Sequence, residues 1–221
     1  MKRKITCYCE NAFDVEVPEE INLDHSPEYL DEIQNGSFFS YTCPACNKKH
    51  KPEFPLSILW PSKKMRFEVF PELDRGEFYR RKKSPINKTP LTLETIIGYP
   101  EMADRLTVIN DGFDPAPVEA IKYYLHLKAE EQYPDEEIDI WYYRSDAAAS
   151  SGGGEIPPDA SLEFHVHGIR EKEVAVMKVP YSLYQRTLED YRQHPKKDIF
   201  SALRVRSYLS VKNTMRPDAL K

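Results

Sequence analysis

Four cysteines carry the sharpest chemical signal in this chain of 221 residues: Cys7, Cys9, Cys43 and Cys46 form two close pairs, and no other cysteine follows. Four thiolates arranged tetrahedrally complete the coordination shell of zinc. Two short chelating turns can supply two ligands each, provided the intervening fold brings the turns together. Cys43-Pro44-Ala45-Cys46 is a C-x-x-C knuckle in which proline restricts the turn, and Asn47 tolerates the left-handed conformation such a turn needs next. Cys7-Tyr8-Cys9 is tighter, with one intervening residue. Closing the 33 residues between the pairs costs roughly 3 kcal/mol of loop entropy. Zinc binding in small structural sites supplies about 10–16 kcal/mol. The expected cofactor is therefore one structural Zn2+, with Cys7, Cys9, Cys43 and Cys46 as its ligands.

Two rival chemistries use the same or neighbouring residues. A C-P-x-C pair also occurs at thioredoxin-like redox sites, where a helix lowers the thiol pKa. Here Pro52 and Pro55 interrupt the residues after Cys46, so no long helix can follow. His50 could stand in for a cysteine, but four thiolates already complete the shell. Outside this region the best candidate is Glu163-Phe164-His165-Val166-His167. In a strand, Glu163, His165 and His167 share one face, and two imidazoles with a carboxylate can hold a catalytic metal. That is the alternative function, a metal-dependent, hydrolase-like enzyme. The simpler reading is the polar face of a half-buried strand, so no catalytic residue is assigned. Gly152, Gly153 and Gly154 lack the Gly-Lys-Ser/Thr of a phosphate cradle, and no G-x-S-x-G or H-E-x-x-H pattern occurs.

These residues need elements to position them. Alternating apolar positions predict short strands over 3–17 around the first cysteine pair. A helix follows at 27–34, capped by Ser26 and ended by Gly36. A strand at 38–42 leads into the second pair, and 58–60 with 65–70 read as a hairpin. The remainder reads as strand at 106–109, helix from Asp114 to about Tyr133, strands at 138–143, 162–167 and 174–179, and helix at 182–193. Val118, Ile121, Leu125 and Lys128 mark one face of the longer helix. Residues 203–211 are open between helix and strand. The fold class expected is α+β. A zinc-ribbon-like β domain with a short inserted helix occupies 1–78, and a linker or exposed loop 79–97. An α+β domain with an antiparallel sheet covers 98–221, including a mobile, dispensable loop at 147–160.

Charge bounds the partners. The net charge is −5, a poor match to non-specific nucleic-acid binding, which needs many phosphate-neutralising cations. The charge is uneven: residues 106–160 carry 12 acids against three bases, and 161–221 carry 12 bases against seven acids. The expected partner is another protein. No stretch reaches the roughly 18 apolar residues of a membrane helix. The basic start, Met1-Lys2-Arg3-Lys4, runs into a cysteine knuckle rather than an apolar signal core. The expected address is the cytoplasm, where two tight cysteine pairs read as a metal site rather than as disulfides.

Taken in order, Ile5-Thr6-Cys7, Cys9, Ile21-Asn22-Leu23-Asp24, Ser26-Pro27-Glu28, Leu30, Gly36, Phe38, Cys43-Pro44-Ala45-Cys46 and Phe54-Pro55-Leu56 resemble the CpXC domain family. Phe113-Asp114 and Val118-Glu119-Ala120-Ile121-Lys122 resemble the helical segment that follows in such proteins. The likeness covers about residues 1–130. The family comprises bacterial and archaeal proteins named for paired Cys-Pro-x-Cys motifs, so the resemblance implies a metal-binding domain and no particular activity. This chain departs from the pattern at its first pair, which is one residue shorter and lacks the proline.

Overall fold

The computed structural model describes residues 1–81, 87, 89–147, 157, 159–170 and 173–215. Parts of three sequence expectations therefore lie outside the described residues: the linker at 82–86 and 88, the glycine-rich loop at 148–156 and 158, and the base-rich 161–221 stretch at 171–172 and 216–221. The chain divides into two compact units, Met1–Ala103 and Asp104–Lys221. The architecture is mixed α and β, with several small sheets.

The first unit opens with a hairpin of β1 (Lys2–Thr6) and β2 (Ala12–Glu16), whose register runs from Lys2 opposite Glu16 to Thr6 opposite Ala12. Strand β3 (Glu20–Asn22) leads to helix α1 (Glu28–Gln34). Gly36 ends this helix region in a left-handed conformation (φ +72°). A second, shorter hairpin follows, β4 (Tyr41–Thr42) with β5 (Lys49–His50). Next come β6 (Leu56–Trp60), β7 (Met65–Phe70), α2 (Arg75–Arg80) and β8 (Thr92–Ile97). Within this unit the strands run β8-β7-β6-β3. β6 and β7 are antiparallel, as their hairpin spacing predicts, while β3–β6 and β7–β8 are parallel.

Two expectations in this unit are corrected. The strand expected at 38–42 shrinks to Tyr41–Thr42. Phe38 and Phe39 are both buried, and a strand would send consecutive side chains to opposite faces. Phe39 instead turns left-handed (φ +50°). Both rings then join one aromatic cluster, stacked 3.9 Å apart and packed against Tyr99. The segment 79–97, expected to be a linker, ends in β8, where Ile96 and Ile97 are buried along with Glu94 and Thr95. Burial on both faces erases the period-2 alternation by which a strand is recognised in sequence.

A third correction concerns α3 (Tyr99–Asn110), a helix where residues 106–109 read as strand. Val108 and Ile109 are β-branched, but Met102, Leu106 and Ile109 recur at helical spacing and are all buried. The division between the units falls inside this helix, rather than at the segment 79–97.

In the second unit, Asp114 caps α4 (Pro115–Gln132) by accepting from the Ala116 N–H, as its sequence predicts. Strands β9 (Asp139–Ser145), β10 (Ser161–His167) and β11 (Ala175–Pro180) form an antiparallel sheet in the order β11-β10-β9. The expected pairing across the glycine-rich loop holds, with Leu162 opposite Ser145 and Val166 opposite Ile140. After β10 the chain turns through Gly168 (φ +97°), where an added Cβ would lie 2.0 Å from the Glu137 carbonyl oxygen. Helices α5 (Tyr181–Gln193) and α6 (Asp198–Ala202) follow. The segment left open between helix and strand forms the small hairpin β12 (Arg204–Val205) and β13 (Tyr208–Leu209). Val118, Ile121 and Leu125 of α4 pack on Ile140, Phe164 and Val166, while Ala116 and Ala120 meet Phe200, Leu203 and Leu209. Lys128, placed on the apolar face by spacing, is exposed, and Ala129 is buried beside it.

The second unit also buries a charged cluster. Asp104, Arg105, Glu119 and Lys122 are all buried. Lys122 Nζ donates to Asp104 Oδ2 at 2.5 Å and to Glu119 Oε1 at 2.9 Å. Asp104 also accepts from the Tyr142 N–H, and Glu119 from the Val211 N–H at 2.7 Å. Arg105 donates to Glu119 and to the Leu209 carbonyl. Burial opposes the charge on Lys122, but the two carboxylates outweigh it and raise its pKa.

His126, one turn along α4, is buried, and this pulls its pKa down to about 4 against the opposing pull of Asp139. In the unfolded chain it titrates near ~6.5. Between those values the unfolded chain binds the proton and the folded chain does not, so this contribution to stability is lost as pH falls through the window. Urea unfolding from pH 7 to 4 should show a decline that is shallower in His126→Gln. Parallel curves for the two proteins would refute that assignment.

Candidate metal centre

The two cysteine pairs sit in two hairpin loops of the first unit. The first loop leaves β1 at Thr6 and rejoins β2 at Ala12, and the second spans Thr42 to Lys49. Each loop is a self-bonded knuckle. In the first, the Cys7 N–H donates to the Asn11 carbonyl and the Glu10 N–H to the Cys7 carbonyl. In the second, the Cys43 N–H donates to the Lys48 carbonyl and the Asn47 N–H to the Cys43 carbonyl. The residue after each pair is left-handed, Glu10 at φ +66° and Asn47 at φ +59°. Asn47 was foreseen in that role. The shorter first pair reaches the same layout by closing its turn one residue earlier.

Side chains of the second hairpin contact the first. The Tyr41 hydroxyl of β4 donates to the Glu16 carbonyl of β2 at 3.2 Å. The His50 ring of β5 stacks on Tyr8 and tilts against Phe13. As a result the four Sγ atoms all lie within 4.8 Å of one another. Cys7 and Cys46 are 3.5 Å apart, and Cys9 and Cys43 are 3.7 Å apart. These separations are far beyond the ~2.05 Å of a disulfide, and all four cysteines are free. A tetrahedron with Zn–S arms of ~2.3 Å has edges of about 3.8 Å. Both of these contacts join different hairpins, so the site exists only when both are folded.

The electrostatics differ from one thiol to the next. Burial works against a thiolate at Cys43, but the N–H groups of Ala45 and Cys46 and the thiols of Cys7 and Cys46 outweigh it and bring its pKa down to about 6. Cys7 goes the other way. The Cys9 N–H favours its thiolate, but burial and the sulfurs of Cys46, Cys9 and Cys43 push it up to about 12. Cys7 and Cys43 are thus pushed in opposite directions by their shared surroundings, and a dication beside them would favour both thiolates. Among the described residues this is the group of His, Cys, Asp and Glu side chains that converges closely enough to hold a metal ion.

A family model described as CpXC protein matches residues 5–122, a span holding both cysteine pairs. The chain belongs to the CpXC family. An uncharacterised protein of Treponema pallidum (strain Nichols) is 31% identical over 222 residues, covering 95% of this chain and 97% of that protein. No solved structure matches.

Two polar neighbours of the CpXC cysteines were not assigned a role from the sequence. His50 Nε2 lies 3.1 Å from Cys7 Sγ, within hydrogen-bond distance, with the imidazole tautomer setting which of the two donates. Asn11 Nδ2 approaches Cys43 Sγ at 3.8 Å. Their signal was position alone: each lies within four residues of a cysteine.

The second candidate set is arranged differently. Phe164 and Val166 are fully buried and Glu163, His165 and His167 share the opposite face of β10, as alternation predicts. However, both Glu163 carboxylate oxygens are engaged, by Arg144 at 2.7 Å and Lys178 at 2.8 Å. Those two hydrogen bonds hold its pKa down at about 2. His165 stacks flat on Tyr143, ring centres 4.0 Å apart, and its centre is 6.5 Å from that of His167. The three side chains therefore share a face without converging on a common point.

Proposed function

We propose that this CpXC protein is a zinc-binding, ribbon-type protein in which Cys7, Cys9, Cys43 and Cys46 hold one structural Zn2+, and that its role is non-catalytic interaction with another protein. The observation that carries the reading is the convergence of four free thiols, from two knuckled hairpins, at separations that suit a tetrahedral zinc site. Four thiolates leave no coordination position for water or substrate, which favours a structural ion over a catalytic one. The reducing cytoplasm suits thiolates kept free for metal.

Metal analysis of protein purified without added zinc should give one equivalent per chain. Cobalt substitution should give intense sulfur-to-metal charge transfer and the visible bands of a tetrahedral thiolate site. The same spectrum should persist in a His165→Ala/His167→Ala variant. Octahedral cobalt bands, or loss of the metal in that histidine variant, would overturn the assignment.

A further inference from the structure

The first unit contains an apolar cavity of about 280 Å³ away from the cysteines. Its walls are Ile33 of α1, Phe38 of the following turn, and Tyr99, Pro100, Met102 and Ala103 at the start of α3. At ~30 Å³ for each water-sized atom it has room for about nine non-hydrogen atoms. Ligand pockets typically combine apolar walls of this kind with a few placed polar groups.

Two charged residues, Lys51 and Glu53, also line the cavity, and the structure treats them differently. Both oxygens of Glu53 are occupied by backbone donors, the Tyr99 N–H at 2.7 Å and the Glu72 N–H at 2.6 Å. The first of these donors opens α3, where the positive end of the helix offsets the carboxylate charge. Lys51 Nζ donates to the Gly36 carbonyl at 2.5 Å, and an ammonium has three protons to give. A neutral carbonyl does not compensate its charge. Among the described residues, the cavity thus presents an apolar body with a cation at its border that contacts no carboxylate, beside an acid already satisfied.

We propose that this cavity is a binding site for a small amphipathic carboxylate of about six to eight carbons, with its chain on Phe38, Tyr99 and Met102 and its carboxylate on Lys51. Titration of the full chain with hexanoate and with 1-hexanol, followed by amide NMR shifts, tests this. Hexanoate should give saturable shifts at Phe38, Tyr99 and Met102, and should bind about tenfold more tightly than the alcohol. Lys51→Met should remove that preference while leaving the alcohol's affinity unchanged. Ala103→Phe, or Ile33→Phe if the first variant does not fold, should fill the space and abolish both. Shifts that never saturate, equal affinity for acid and alcohol, or binding that survives a folded cavity-filling variant would each overturn the proposal.

Discussion

Replacing Cys43 with serine is expected to abolish metal binding and unfold the first unit. Cys43 is fully buried, and its sulfur meets Cys9 from the other hairpin as well as the side chain of Asn11. Serine is a poor zinc ligand, and a three-thiolate remnant loses the closed tetrahedral shell. Binding of a structural zinc supplies about 10–16 kcal/mol, against total stabilities of ~5–15 kcal/mol for ordinary domains. The second hairpin has few backbone hydrogen bonds of its own, since β4 and β5 are two residues each. Circular dichroism and heteronuclear NMR should show a collapsed spectrum for residues of the first unit, and a strong chelator applied to the unmodified protein should reproduce it. A Cys43→Ser protein that melts at the parent temperature would remove the structural role from this metal.

Replacing Lys122 with methionine should be the most damaging single change in the second unit. It leaves Asp104 and Glu119 buried together without the cation that each contacts. Breaking a buried ion pair by removing one partner costs about 3–5 kcal/mol, which corresponds to a fall in melting temperature of roughly 10–20 °C in a unit of this size. The paired variant Asp104→Asn/Lys122→Met should recover part of that loss. Asparagine can still accept from the Tyr142 N–H, and one buried negative charge is gone. A double-mutant cycle measured by urea unfolding would give the coupling between them. A loss below ~1 kcal/mol for Lys122→Met would mean that water reaches the cluster and the charges are not truly buried.

By itself the sequence determined what short-range chemistry can determine. Cys43-Pro44-Ala45-Cys46-Asn47 announces a knuckle because its ligands, its turn residue and its left-handed successor are adjacent in the chain. Asp114-Pro115 announces a helix start because a cap and a restricted φ act over two residues, and the 58–60/65–70 hairpin is equally local. The family could be named from the order of such motifs. What required the tertiary structure was every feature whose partners are distant. Phe38 and Phe39 leave the strand their sequence suggests because an aromatic cluster rewards burying both. β8 is hidden in sequence because burial on two faces removes its alternation, and α3 because β-branched residues mask its 3.6-residue period. Glu119 and Lys122 look like an ordinary solvent-facing pair on a helix. Only the approach of Asp104, Arg105 and the backbone of residues 209–211 makes them an interior network. The same holds at the cysteine cluster, where spacing nominates four sulfurs, but folding both hairpins is what brings them within 4.8 Å of one another.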